Sequence, residues 1–366
     1  MISFAGGLPN PASFPKDILG GLYSELCEKR GEEILQYGAS EGSIQLRKSI
    51  KSFEDAGELP DSELMITVGA TNAIYYFTRT FINPGDVIIT ELPAFPGSIA
   101  AMQACGAVLH GIEMDDEGIL PDRLQKTLSK NNRVKFIYLI PEFQNPSGKT
   151  MTLERRREII RIAEKFNIPI LEDQPYRELR YSGKRIPSIG EIARTEFNNP
   201  NIVTIVKSYS KILGPGLRIG FASGPEYVID KMVKWQQKIT VSPDNPAQLV
   251  VSEFINRGYM SGHIDKILSL YKPRRQAMLE ALEQYMPDFV EWTKPDGGMF
   301  IWLKINKTMD TGALLEKAIE HKIAFIPGEN FYPDDNDRGK NELRLNFSYP
   351  SEKDIDIGIR RLSEIL

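Results

Sequence analysis

The stretch SYSKILGPGLRIG, residues 208–220, sets Lys211 behind Ser208 and Ser210 on a glycine-rich turn, with Arg218 seven positions further on. A lysine amine condenses with an aldehyde, and a cofactor that also carries a phosphate accounts for the serines and the arginine beside it. Pyridoxal phosphate meets both conditions. Its phosphate needs a cradle of backbone N–H groups, such as a helix N-terminus after a tight turn. Gly69, Ala70, Thr71 and Asn72 occupy such a place, between the apolar run MITV and a helical pattern beginning near Ala73. The ring nitrogen needs a carboxylate that keeps it protonated, so that the ring can accept electrons from a developing carbanion. Asp173, closing the run IPILED, is placed for that. Each signal alone has a plainer reading: a surface turn for Lys211, an ordinary strand-to-helix turn for residues 69–72, a capping aspartate for Asp173.

Competing chemistries find less support. Gly214, Gly216 and Gly220 come close to a dinucleotide fingerprint, but the spacing is off by one. Pro215 interrupts the turn, and LRIGFAS after it reads as a strand where that fingerprint requires a helix. His110, His263 and His321 are scattered, and Cys27 and Cys105 lack CxxC spacing, so neither a metal site nor a disulfide framework is expected. Lone cysteines suit a reducing cytoplasm. No basic leader opens the chain and no run of about 18 apolar residues occurs, so neither secretion nor membrane insertion is expected. A net charge of -4 over 366 residues speaks against a dedicated nucleic-acid surface. The basic run Arg155, Arg156 and Arg157 reads as a solvated helix face.

These groups must be positioned by a rhythm of short apolar runs and helical patterns. Strands are predicted over 65–68, 87–90, 134–140, 168–171, 202–206 and 217–222. Their nearly continuous apolar character suits a mostly parallel sheet buried on both faces. Helices are predicted over 153–166, where Ile159, Ile162, Ala163 and Phe166 recur at helical spacing, and over 226–239 and about 263–285. Strands over 297–305 and 342–349, with helices over 311–321 and 351–366, predict a smaller α+β unit near the C-terminus. The expected division is an N-terminal segment 1–40 joining that small unit and covering the site, a large α/β cofactor-binding unit 41–255, and a small unit 256–366.

Taken in order, GATN, PAFP, FQNPSG, EDQPY, SYSK, GLRIG and RLNFSY, spread from residue 69 to 349, resemble the fold-type-I aminotransferases of classes I and II. The opening ISFAGGLPNPASFP and the segment PEFQNPSG are most similar to the 2-aminoadipate and kynurenine aminotransferase-like group. The likeness runs over essentially the whole chain.

That resemblance implies roles. Lys211 would hold pyridoxal phosphate and act as general acid and base, and Asp173 would pair with the pyridine nitrogen. Asn145 and Tyr176 would hydrogen-bond the phenolic oxygen, and Phe95 would stack on the ring. The phosphate would lie against the Ala70 and Thr71 backbone, Ser208, Ser210 and Arg218, joined by Tyr37 from a second subunit of a homodimer. Arg344 would bind the substrate α-carboxylate, a task suited to a planar, always-charged fork. It alternates with apolar Leu343, Leu345 and Phe347, so its side chain points away from the small unit's core. Gly6 and Gly7 would pass near the substrate. The implied reaction moves an amino group from a 2-amino acid to a 2-oxo acid, 2-oxoglutarate being the expected acceptor, with aminoadipate, aromatic and branched side chains as candidate donors. Relatives carry an extra N-terminal helical segment that this sequence lacks before AGGLPN, which puts side-chain specificity in doubt. The same residues serve pyridoxal phosphate lyases, and a related unit occurs in transcription regulators; no winged-helix segment precedes it here, so the regulator reading is not expected.

Overall fold

The computed structural model describes residues 1–54, 60–333 and 338–366. After β1 (Ile2–Ser3) and the helices Lys16–Ile34 and Ile44–Phe53, the chain lays down one large sheet. Its strands are β2 (Leu64–Thr67), β3 (Val87–Leu92), β4 (Val108–Asp115), β5 (Gly118–Ile119), β6 (Val134–Leu139), β7 (Ile170–Asp173), β8 (Val203–Ser208) and β9 (Gly220–Ser223). They lie in the order β2-β9-β8-β7-β6-β3-β4-β5. The run from β8 to β4 is parallel, whereas β9 is antiparallel to both β2 and β8. β2 therefore points the same way as β8.

Every residue of β2, β3, β7 and β9 is buried, which explains their largely apolar character up to polar residues near their carboxyl ends. On one face the helices Ala70–Phe81, Pro96–Gln103 and Glu226–Ile239 pack through Ile74, Phe77, Met102 and Met232. On the other, Pro121–Lys130, Leu153–Phe166 and Ile189–Thr195 pack through Leu124, Ile159 and Ile192. A second, antiparallel sheet follows, made of β10 (Val290–Trp292), β11 (Phe300–Ile305), β13 (Ile326–Pro327) and β14 (Glu342–Asn346) in the order β10-β11-β14-β13. Leu303 and Leu345 of this sheet share one apolar cluster with Met278 and Leu282 of the helix Tyr259–Tyr285 and Ile359 of Glu352–Ser363. β12 (Ile323–Ala324) pairs in parallel with β1, which brings the N-terminal segment beside the small sheet. Among the described residues, no helix is long and apolar enough to cross a membrane.

Four local expectations need correction. The arginine run is not a solvated face: Arg156 is 0% exposed, and its guanidinium donates to the carbonyls of Met151, Pro141 and Pro187 and pairs with Glu142 at 3.4 Å. Arg155 is also buried, held by Asp115 and the carbonyls of Gly118 and Ile119. Buried carbonyls and carboxylates compensate what burial costs these cations. The strand expected from residue 217 begins only at Gly220, because Pro215–Leu217 forms a 3-10 turn that closes on Arg218 in the left-handed region, φ 53°. The helix expected near Ala73 starts at Ala70, directly after Gly69 at φ 81°. Residues 297–299 precede β11 instead of joining it, with Gly298 at φ 73°.

Candidate active site

In open α/β sheets ligands settle outside the carboxyl ends of the parallel strands. Here those ends deliver the groups singled out from the sequence. Gly69 to Thr71 follow β2, Phe95 follows β3, Asn145 follows β6, Asp173 ends β7, and Lys211 follows β8.

Lys211 sits on the turn after Ser208, and its Nζ donates to the Gly7 carbonyl at 2.7 Å. Burial, helped by the nearby charges of Arg344 and Arg218, pushes the amine down to about 8. Asp173 is buried; its Oδ2 accepts from the Tyr138 hydroxyl at 2.7 Å, while its Oδ1 has no partner. Burial raises this carboxyl to about 7, against the lowering effect of the Tyr138 hydrogen bond. An orphaned buried carboxylate oxygen of this kind calls for a cationic N–H.

Asn145 Nδ2 donates to the Tyr176 hydroxyl at 3.2 Å, and burial raises the phenol above its ordinary value. Arg344 Nη1 in turn donates to Asn145 Oδ1 at 2.8 Å, and Nη2 to the Ala5 carbonyl at 2.7 Å. Its guanidinium lies over the Phe300 ring at 4.1 Å and the Phe331 ring at 5.1 Å, with Nε unpartnered. Burial pulls it down to about 10, so it stays charged at neutral pH. Gly7 backs onto the same phenylalanine: a Cβ there would stand 3.2 Å from the Phe300 ring. Gly6 is exposed and its only near neighbour is Leu8.

The cradle is equally specific. Gly69 caps the helix that begins with Ala70 and the exposed Thr71, leaving first-turn N–H groups unpaired within the helix. A Cβ on Gly69 would come within 2.7 Å of Arg218 Nη2, which donates to the Val68 carbonyl at 3.0 Å. Ser208 Oγ donates to Ser210 Oγ at 2.9 Å. Phe95 stands half-buried at the start of the helix Pro96–Gln103. Tyr37, expected to serve a second subunit, is 82% exposed in the segment after the helix Lys16–Ile34. A cleft of about 780 Å³ lined by Ser147, Lys149, Trp292, Trp302 and Tyr332 includes none of these residues.

The donor set fits pyridoxal phosphate. It offers a depressed amine for the aldehyde, an unpartnered carboxylate oxygen for a ring N–H, and a glycine-opened helix start with two hydroxyls and a guanidinium for the phosphate. Sequence reasoning missed three supports of this arrangement. Tyr138 reads as one more apolar position in VKFIYLI. Gln144, which donates to the Pro93 carbonyl and accepts from Ser147, braces the loop presenting Asn145. Lys207, inside β8, donates to Glu54 at 2.6 Å and Glu178 at 2.7 Å. Only the lone charge within IVTIVKS hinted at the last.

Comparison with known proteins shows the family. Residues 23–362 match the family described as aminotransferase class I and II. An aromatic-amino-acid aminotransferase of Thermococcus litoralis is 38% identical, over 100% of this chain and 88% of that protein. The crystal structure of a kynurenine aminotransferase from Pyrococcus horikoshii superposes with a TM-score of 0.94 at 38% identity, covering 100% of this chain and 90% of that one. An α-aminoadipate aminotransferase of Thermus thermophilus, solved with N-(5'-phosphopyridoxyl)-L-leucine, gives a TM-score of 0.94 at 32% identity, covering 100% and 92%.

Proposed function

The chain belongs to the class I and II aminotransferases, enzymes of fold type I that work with pyridoxal phosphate, and from that premise we propose which of its residues perform the amino transfer. The observation that carries the assignment is the depressed amine of Lys211, half-buried near the charges of Arg344 and Arg218, after the carboxyl end of β8 and next to the strand that ends in Asp173.

Pyridoxal phosphate, when bound, supplies an electrophilic carbon for amines and a ring that takes up the electron pair released at the amino acid's Cα. Arg344 grips the substrate α-carboxylate, exchanging its bond to the Ala5 carbonyl for a charge-assisted pair. That grip orients the Cα–H bond. Lys211 takes the proton from Cα and returns it to the carbon on the far side of the amino nitrogen, the task of a base that burial has lowered toward working pH. Asp173 holds the ring nitrogen's proton through Oδ1. Asn145 and Tyr176 hydrogen-bond the phenolic oxygen, and Phe95 covers one ring face. The Ala70 and Thr71 N–H groups, Ser208, Ser210 and Arg218 hold the phosphate. Gly7 lets the N-terminal backbone close over the substrate.

We assign 2-oxoglutarate as acceptor and a broad donor range of aminoadipate, aromatic and branched amino acids, a breadth that the three relatives' names support. The working form we propose is a homodimer in which Tyr37 reaches the phosphate of the other subunit. Exposed Leu35, Tyr37, Ile239 and Val241 support it, the Ser40 hydroxyl tying their two segments through the Val241 carbonyl at 2.7 Å. Residues 41–255 form the cofactor unit in this reading, with 256–366 and the segment 1–40 as the cover. Unpaired Cys27 and Cys105 suit the cytoplasm.

The absorption spectrum tests the assignment. The protein loaded with pyridoxal phosphate should show a band that aminoadipate, leucine or phenylalanine converts to the pyridoxamine form, with glutamate appearing when 2-oxoglutarate is added. Lys211→Ala should bind the cofactor without that conversion; full turnover by Lys211→Ala would remove the proposed base.

A further inference from the structure

Beneath the site, Ser98, Tyr138 and Asp173 form a line of hydrogen-bonding groups. The Tyr138 hydroxyl donates to Asp173 Oδ2 at 2.7 Å and lies 2.6 Å from Ser98 Oγ. A phenol has one proton, and here it goes to the carboxylate, so Ser98 must donate to the phenol oxygen. None of the three is more than 3% exposed. Each comes from a different element: Ser98 from the helix that opens beside Phe95, Tyr138 from β6, Asp173 from the end of β7.

We propose that Tyr138, backed by Ser98, is a positioning residue for the transamination: the two hydroxyls form a one-way donor relay that holds the Asp173 carboxylate ionised, with Oδ2 turned into the core and Oδ1 left free for the cofactor's ring nitrogen.

The surroundings leave little else to do this. Facing Asp173 from β3 is Glu91, itself pushed up to about 8 by burial and by the Asp173 charge, and from the loop after β7 comes Tyr176. On β8 the residue paired with Asp173 is Val206, which offers no charge. No cation stands among these neighbours. Without the phenol, Asp173 would keep the cost of burial and lose its opposing hydrogen bond. Its titration would move upward, and the ionised form would disappear from the acid side first.

This inference rests on Asp173 being the ring nitrogen's partner, so the experiment separates the two. The carboxyl carbon of Asp173, assigned by its loss in Asp173→Asn, is titrated by NMR in the full chain without cofactor, in the parent, Tyr138→Phe and Ser98→Ala. Removing a hydrogen bond to a charged group should raise the midpoint by about one to two pH units in Tyr138→Phe, and by less in the same direction in Ser98→Ala. With pyridoxal phosphate loaded, the acid limb of kcat/KM should move to higher pH in the same order. A lowered Tm with unmoved titration curves in both variants makes the line merely structural and overturns the relay. Shifted titrations with unmoved activity profiles overturn the reading of Asp173 as the ring nitrogen's partner. Should Tyr138→Phe not fold, the Ser98→Ala pair of measurements decides.

Discussion

Arg344 has an uncommon position for an always-charged side chain: 6% exposed, sandwiched by Phe300 and Phe331, its fork shared between Asn145 and the Ala5 carbonyl. Aromatic faces and a depressed proton affinity make it a cation whose burial is only partly compensated, so a carboxylate entering the site gains a strong partner. Replacing it by alanine removes two charge-assisted hydrogen bonds, about 2–4 kcal/mol, and should lower kcat/KM by roughly 30- to 1000-fold, mostly through KM. Arg344→Lys should recover part of this, since an ammonium lacks the fork. Steady-state kinetics with glutamate and phenylalanine checks both, and equal KM values in all three proteins would contradict the clamp. This residue was legible because strand alternation alone aims it away from Leu343 and Leu345. Tyr138 was not, because a phenol in an apolar run looks like core filling until a carboxylate is found opposite it.

At the scale of elements, β8 does more than present Lys211. Lys207, four residues earlier, is anchored between Glu54, at the end of the helix Ile44–Phe53, and Glu178, two residues beyond Tyr176. The strand end and the Asp173–Tyr176 loop are thereby fastened to each other. Lys207→Met leaves two largely buried carboxylates facing each other without their cation. It should cost about 3–5 kcal/mol, seen as a Tm lower by several degrees. Glu54, whose carboxyl burial already raises, should take up a proton in that variant, so lowering the pH should narrow the gap to the parent. A gap that widens toward acid would contradict this account. The parallel strands were readable because burial on both faces makes them mostly apolar. β9 reads the same way, yet it runs antiparallel, since direction is set by the short connection through Pro215–Leu217 and not by apolar content. Arg155 and Arg156 misled for the converse reason: a charge run looks solvated unless the carbonyls that wait for it are known.

For the whole molecule, the site is drawn from Gly7 to Arg344, and Tyr37, expected to serve a second subunit, stands 82% exposed near Leu35 at 77%. Burying that apolar group in a dimer accounts for both facts. Leu35→Glu should shift sedimentation toward the monomer and weaken cofactor retention by removing the partner's tyrosine. A fully active monomer would place the phosphate's ligands in one chain. The residues assigned to the cofactor, from Gly69 to Arg218, precede the carboxylate-gripping Arg344, which lies in β14, by more than a hundred positions. During synthesis the lysine, the aspartate and the phosphate cradle thus leave the ribosome long before the small sheet can close.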